Sequence, residues 1–319
     1  MSEEALLPIA RACELAIEPE EEHWLIEGLW ARSAVGIIGG PPKAGKSWLG
    51  LDMAVSVASG TRALGHFPTP EKGTVLVYLA EDALPQVRAR IEALCRQRGQ
   101  DIRSLDLHVI TAALLRLDLC GDQDRLARTV EKLRPRLLLL DPLVRLHRLD
   151  ENSASEISGF LGYIRELQRR FDVAVALVHH TSKKQRSQPG QSLRGSSDLH
   201  AIGDSNVYLT RSEKHLVLTI EHRASRSPEP MLLELVHDAD TDATHLRVRA
   251  ESLSLSHDQQ QEPRLEKQIL EALESTSEPM TRAALRARLR VNNQRLGYTL
   301  DRLEREGRIV RSSRGWKST

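Results

Sequence analysis

A chain of 319 residues with 45 Lys/Arg against 44 Asp/Glu accommodates one large domain plus a small one, and it can bury a sizeable core. Its apolar stretches, such as Val173 to Val178, fall far short of the roughly 18 residues that span a bilayer, which excludes a transmembrane class. The acidic start, Met1-Ser2-Glu3-Glu4 and then Glu18 to Glu22, lacks the basic and apolar regions of a secretory leader and predicts a cytoplasmic protein with no membrane partner.

Charge is unevenly placed. Residues 264–319 carry 13 Lys/Arg against 7 Asp/Glu, a net +6, whereas the preceding residues carry 32 against 37, a net −5. A basic C-terminal segment on an acidic body suggests an anionic partner for the smaller domain. Cys13, Cys95 and Cys120 are odd in number and have no C-x-x-C spacing, so they read as small buried or incidental residues rather than ligands or disulfide halves.

In chain order, residues 1–33 are expected to pack on the core, with Trp24 and Trp30 as core side chains rather than base-stacking ones. Val35 to Ile38 reads as a short strand and Lys46 to Ser59 as a helix. Between them runs Gly39-Gly40-Pro41-Pro42-Lys43-Ala44-Gly45-Lys46-Ser47, which fills the phosphate-loop pattern G-x-x-x-x-G-K-[ST]. Glycines allow the tight dihedrals and close approach of such a loop, and the helix N-terminus adds partial positive charge beneath the phosphates. Gly40, Pro41, Lys43, Ala44, Gly45, Lys46, Ser47 and Trp48 are therefore the candidate nucleotide-binding residues for ATP or GTP. Lys46 would reach the β- and γ-phosphates and Ser47 would hold Mg²⁺.

Thr74 to Leu79 reads as a strand, Pro85 to Gln97 as a helix and His108 to Ile110 as another strand. Asp122 to Leu133 follows as a helix, Arg136 to Leu140 as a buried strand, Ala154 to Phe171 as a helix and Val173 to Val178 as a buried strand. Strands with helical crossovers predict an α/β fold, a P-loop NTPase with a mostly parallel sheet flanked by helices. Three groups stand at strand ends, where such folds place their ligands. Asp141 is suited to the metal as a Walker B acid, or is a simple cap. Glu81 is suited to polarise an attacking water, or belongs with Asp82 to a solvated acidic turn. His180 is suited to sense the γ-phosphate, with a structural or metal-ligating histidine as the other readings.

The Gly/Ser/Gln-rich stretch 183–203 carries Lys183, Lys184, Arg186 and Arg194 and reads as a loop contacting DNA, or as an ordinary connection. Asn206 to Thr210 and His215 to Glu221 predict an antiparallel hairpin that Leu232 to Val236 and His245 to Arg249 continue. After it, Arg223 and Arg226 are candidate arginine fingers for a neighbouring subunit's nucleotide, or part of a salt-bridged surface.

Ser252 to Pro263 reads as a polar linker. Leu265 to Leu273, Thr281 to Leu289 and Asn292 to Glu306 then predict three helices, followed by two short strands in 308–317. This is the pattern of a winged helix, in which Asn293, Arg295 and Arg314 would meet duplex DNA, unless the module docks a protein. The expected domains are thus 1–33, 34–251, the linker 252–263 and the winged-helix-like 264–319.

The series Trp24-Leu25-Ile26-Glu27-Gly28-Leu29, Gly39 to Ser47, Leu79-Ala80-Glu81-Asp82, Leu140-Asp141-Pro142, Val178-His179-His180-Thr181-Ser182-Lys183 and Leu193-Arg194-Gly195-Ser196-Ser197 resembles the RecA-like ATPases of the hexameric replicative helicase group, most closely the plasmid RepA-type family. The resemblance implies a RecA-like core that hydrolyses ATP at subunit interfaces of a ring, usually a hexamer, around single-stranded DNA. On that pattern Glu81 is the catalytic glutamate, Asp141 the Walker B acid, His180 the sensor and Arg223 the finger. Two departures stand out: Glu221 lies where relatives often have a basic residue, and residues 265–319 lie outside the compact helicase pattern. The competing expectations are a RecA/RadA-like DNA-binding regulator or a recombination mediator that does not unwind. A metabolite kinase is disfavoured, because it needs neither the basic loop nor the winged helix.

Overall fold

The computed structural model describes residues 9–15, 23–151, 153–181, 197–212, 215–239, 243–249, 258–276, 279–289, 291, 293–305, 307–312 and 315–318. Two units separate along the chain, Met1–Arg249 and Ala250–Thr319.

The first unit is built on a nine-stranded sheet. Six of its strands are parallel: β3 (Val35–Gly40), β4 (Val75–Leu79), β5 (Leu107–Val109), β6 (Leu137–Asp141), β7 (Ala174–His180) and β8 (Ser205–Ser212). Then β9 (His215–His222), β10 (Met231–Asp238) and β11 (Ala243–Val248) extend the sheet antiparallel, in the overall order β11-β10-β9-β8-β3-β7-β6-β4-β5. The hairpin expected from 206–221 is present. Its first strand also joins the parallel set through β3, pairing Ile38 with Val207.

Apolar runs at the sheet centre serve two cores at once, because successive side chains point to opposite faces. Leu137 and Leu139 join one core and Leu138 and Leu140 the other, and Val175 and Leu177 lie opposite Ala174, Ala176 and Val178. Helices α1 (Lys46–Ser59) and α2 (Leu84–Gln97) contribute buried residues to the first core, and α3 (Cys120–Leu133) and α4 (Ala154–Phe171) to the second. At Gly36 a Cβ would fall 1.6 Å from the carbonyl oxygen of Ser205, so β3 and β8 pack here only with glycine.

A buried ion pair anchors α1 to α2: Arg98 donates to Asp52 at 2.6 Å, and Asp52 also accepts from the Leu64 N–H at 2.7 Å. Strands β1 (Trp24–Ile26) and β2 (Trp30–Ala31) form a small hairpin on the first core. Trp30 is fully buried, with its indole N–H donated to Ala34 at 3.3 Å. By contrast, Ile9 is 92% exposed and Leu15 62%, so these residues do not pack in the way expected for the start of the 1–33 segment. Cys95 is buried, and Cys13 and Cys120 are exposed.

In the second unit, α6 (Asp258–Glu274), α7 (Arg282–Leu289) and α8 (Asn293–Arg305) precede an antiparallel pair, β12 (Ile309–Ser312) and β13 (Gly315–Ser318); the short α5 is Ser197–Ala201 of the first unit. Leu265, Ile269, Leu285, Leu296, Leu300, Leu303 and Ile309 form this unit's own core. Thr281 caps α7, its hydroxyl accepting from Ala284 N–H at 3.2 Å. Helix α6 begins at Asp258, inside the stretch read as linker, because its Gln and Glu residues propagate a helix that the Leu265 face anchors by burial. Among the described residues no helix is long and apolar enough to cross a membrane.

Candidate active site

The site lies at the C-terminal ends of the parallel strands. There Gly45 takes φ 93° as N-cap of α1 and Lys43 takes φ 62°, the turn that swings the loop's backbone back over the helix N-terminus. Gly40 is in register with His180, and Leu79 with Asp141. Sheet register therefore brings the glycine-rich loop, His180, Asp141 and Glu81 to one end of the parallel strands. A cleft of about 410 Å³ is lined by Lys43 to Trp48, Glu81, Asp82, Asp141 and His180.

Lys46 is almost wholly buried, and its ammonium donates to the carbonyls of Gly40 at 3.0 Å and Pro41 at 2.9 Å. Burial pushes its pKa down to about 8, against the opposing pull of Asp141 and Glu81. The same burial pushes Asp141 up to about 6, partly offset by a hydrogen bond from the Ser47 hydroxyl. The Oδ2 atom of Asp141 is buried and has no hydrogen-bond partner among the described residues. A buried carboxylate oxygen left open beside a serine hydroxyl suits a hard divalent cation, so this pair fits Mg²⁺.

Glu81 is half exposed, and its carboxylate accepts from Arg145 Nε at 2.8 Å. Asp82 pairs with Arg90, whose guanidinium sits 5.5 Å from the Trp48 ring centroid. Arg211 donates to the carbonyl of Lys43 at 3.3 Å and lines the cleft. Sequence reading missed Arg90, Arg145 and Arg211: none belongs to a motif, and only the fold brings Arg90 and Arg211 to the cleft and Arg145 to Glu81.

Arg223 and Arg226 are not brought to this cleft. Arg223 is held in its own chain by Asp204 at 3.3 Å and by the carbonyl of Ala201, while Arg226 is exposed with no partner among the described residues. Lys183, Lys184, Arg186, Arg194 and Arg314 lie outside the described residues. Asn293 and Arg295 fall in the first turn of α8, and their side chains likewise lie outside the description.

Comparison with known proteins agrees with this geometry. The ATPase domain of G40P is similar over 68% of this chain and 86% of its own, with a TM-score of 0.53 at 16% identity, a likeness of fold. The RadB recombinase is similar over 67% of this chain and 91% of its own, with a TM-score of 0.49 at 16% identity. The likeness to the G40P domain is one of fold, an α/β architecture with a large, mostly parallel sheet flanked by helices, as in RecA-like P-loop NTPases. Residues 3–186, more than half of the sequence and the whole stretch from the phosphate loop to His180, match the AAA_25 family, described as an AAA domain, and the chain belongs to that family.

Proposed function

We propose that the protein is a DNA-dependent ATPase that hydrolyses ATP at the subunit interfaces of a ring, as a RepA-like replicative helicase does. The observation that carries the hydrolytic part is the convergence of Lys46, Ser47, Glu81, Asp141 and His180 on one cleft. The loop's backbone N–H groups and Lys46 hold the phosphates, and Ser47 and Asp141 hold Mg²⁺. When bound, that ion neutralises charge that develops between the β- and γ-phosphoryl groups. Glu81 accepts a proton from the attacking water and orients it, and His180 meets the γ-phosphate.

DNA as the partner is supported by the net +6 of residues 264–319 and by their three helices and two-stranded ribbon, which suit a winged helix on duplex DNA or on a replication protein. Lys183, Lys184, Arg186 and Arg194 are proposed to meet single-stranded DNA. A second reading is a RecA/RadA-like regulator or recombination mediator without unwinding; the half-exposed pairing of Arg223 with Asp204 of its own chain would have to open for that side chain to serve as a finger.

The deciding experiment measures ATP turnover with and without single-stranded DNA, together with oligomeric state and ATP-driven strand separation. Stimulation by DNA with separation supports the helicase. Stimulation with annealing or strand exchange, but no separation, supports the second reading, and turnover that ignores DNA in a persistent monomer sinks both.

A further inference from the structure

The wall of the cleft supplied by β9, β10 and β11 is apolar and is not among the groups assigned to phosphate or metal. In β9, β10 and β11, Leu216 is in register with Leu233, and Leu235 with Leu246. Because alternate residues of a strand share a face, Leu216, Leu233, Leu235 and Leu246 all stand on one side of the sheet. Leu233 and Leu246 are buried, but Leu235 continues the row outward and is 59% exposed, lining the same cleft as Lys46 and Ser47. Leu246 lies against Gly45, and Arg211, in register with Leu216, fastens the hairpin to the loop at Lys43.

We propose that Leu216, Leu235 and Leu246 form the nucleobase shelf of this site, and that the shelf accepts adenine and guanine alike. The proposal rests on the nucleotide-hydrolysing reading above. A nucleotide seated by its phosphates on the loop brings a flat, largely apolar base to an adjoining wall, and this wall is continuous with the phosphate cleft. The aromatic surface in the cleft, Trp48, already carries the guanidinium of Arg90.

Discriminating a 6-amino from a 6-oxo purine takes a donor or acceptor aimed at the base edge. On the leucine wall itself no described side chain carries a donor or acceptor, and of the polar groups elsewhere in the cleft Glu81 is bonded to Arg145, Arg211 to the Lys43 carbonyl and Lys46 to the Gly40 and Pro41 carbonyls. Ser47 is bonded to Asp141, and Asp82 to Arg90. Contact with leucine methyl groups is blind to that edge.

The test titrates the full chain in Mg²⁺ with ATP, GTP and inorganic tripolyphosphate by calorimetry, for the parent, Leu235→Ser and Leu235→Met. ATP and GTP are expected to bind within about tenfold of each other. Leu235→Ser is expected to weaken both by about tenfold, the loss expected when a base gives up one leucine contact, and to leave tripolyphosphate unchanged. Leu235→Met should restore most of the loss. Because tripolyphosphate needs only the loop, its retention certifies that the serine variant is folded.

A preference for one purine beyond about tenfold overturns the shelf's indifference. A loss under about threefold in Leu235→Ser overturns the shelf itself, and if that variant instead changes sedimentation, the leucine covers a subunit contact. Failure of the parent to bind tripolyphosphate and both nucleotides overturns the phosphate-site reading and this proposal with it. Tripolyphosphate binding with a failed shelf leaves the phosphate-site reading standing.

Discussion

Arg145, in the turn just after β6, donates its Nε proton to the carboxylate of Glu81 at 2.8 Å. The candidate base for water thus spends one lone pair on a guanidinium of its own chain. Both side chains are about half exposed, which limits the pair to a small free energy. We expect Glu81→Gln to lower ATP turnover by about 100-fold or more while nucleotide still binds. Arg145→Ala should raise turnover without DNA by about two- to fivefold, as the carboxylate is released. Steady-state kinetics paired with nucleotide titration measure both; a fall in turnover for Arg145→Ala would show that the arginine holds Glu81 in its working position.

Lys46 and Asp141 predict different kinds of loss. The buried ammonium of Lys46 now bonds loop carbonyls and must turn to a phosphate, so Lys46→Ala should weaken nucleotide binding by about tenfold or more. Asp141→Asn should instead leave metal-free binding largely intact and abolish the strengthening that Mg²⁺ brings. Titration with and without EDTA separates the two.

His222 should make stability depend on pH. Its Nδ1 accepts from the Ser205 hydroxyl at 3.1 Å, its Nε2–H is donated to the carbonyl of Gly28 at 3.2 Å, and Ser205 Oγ accepts from Ala31 N–H at 3.0 Å. This chain of bonds requires a neutral ring, and burial lowers the pKa below 6.5, reinforced by His23 and opposed by the Gly28 bond. A lowered folded value means that the unfolded chain takes up its proton first as pH falls. The stabilisation is therefore present above about pH 6.5 and is lost toward the folded value, with a slope of at most about 1.4 kcal/mol per pH unit. Urea midpoints at pH 7.5 and 5.5 should fall less in His222→Asn than in the parent.

Asp52→Ala should cost about 3–5 kcal/mol, because it strands the buried guanidinium of Arg98 and the N–H of Leu64. Chemical denaturation measures it. A cost below about 1 kcal/mol would mean that water reaches this pair.

By itself the sequence determined the phosphate loop, the strand-end positions of Glu81, Asp141 and His180, and the alternation of parallel strands with helices. Those are local facts: a glycine pattern, a carboxylate after an apolar run, a period of side chains. Three things were settled only in the tertiary structure. Register across separate strands puts Gly40 beside His180 and Leu79 beside Asp141, and no spacing along the chain encodes it. The pairing of Arg145 with Glu81 and of Arg90 with Asp82 depends on loops that meet in space. Arg223, read as a finger candidate from its place after a strand, meets Asp204 of its own chain, a pairing that spacing along the sequence does not encode. The apolar row ending at Leu235 was legible as strand residues. That it opens onto the phosphate cleft follows from where β10 and β11 join the sheet.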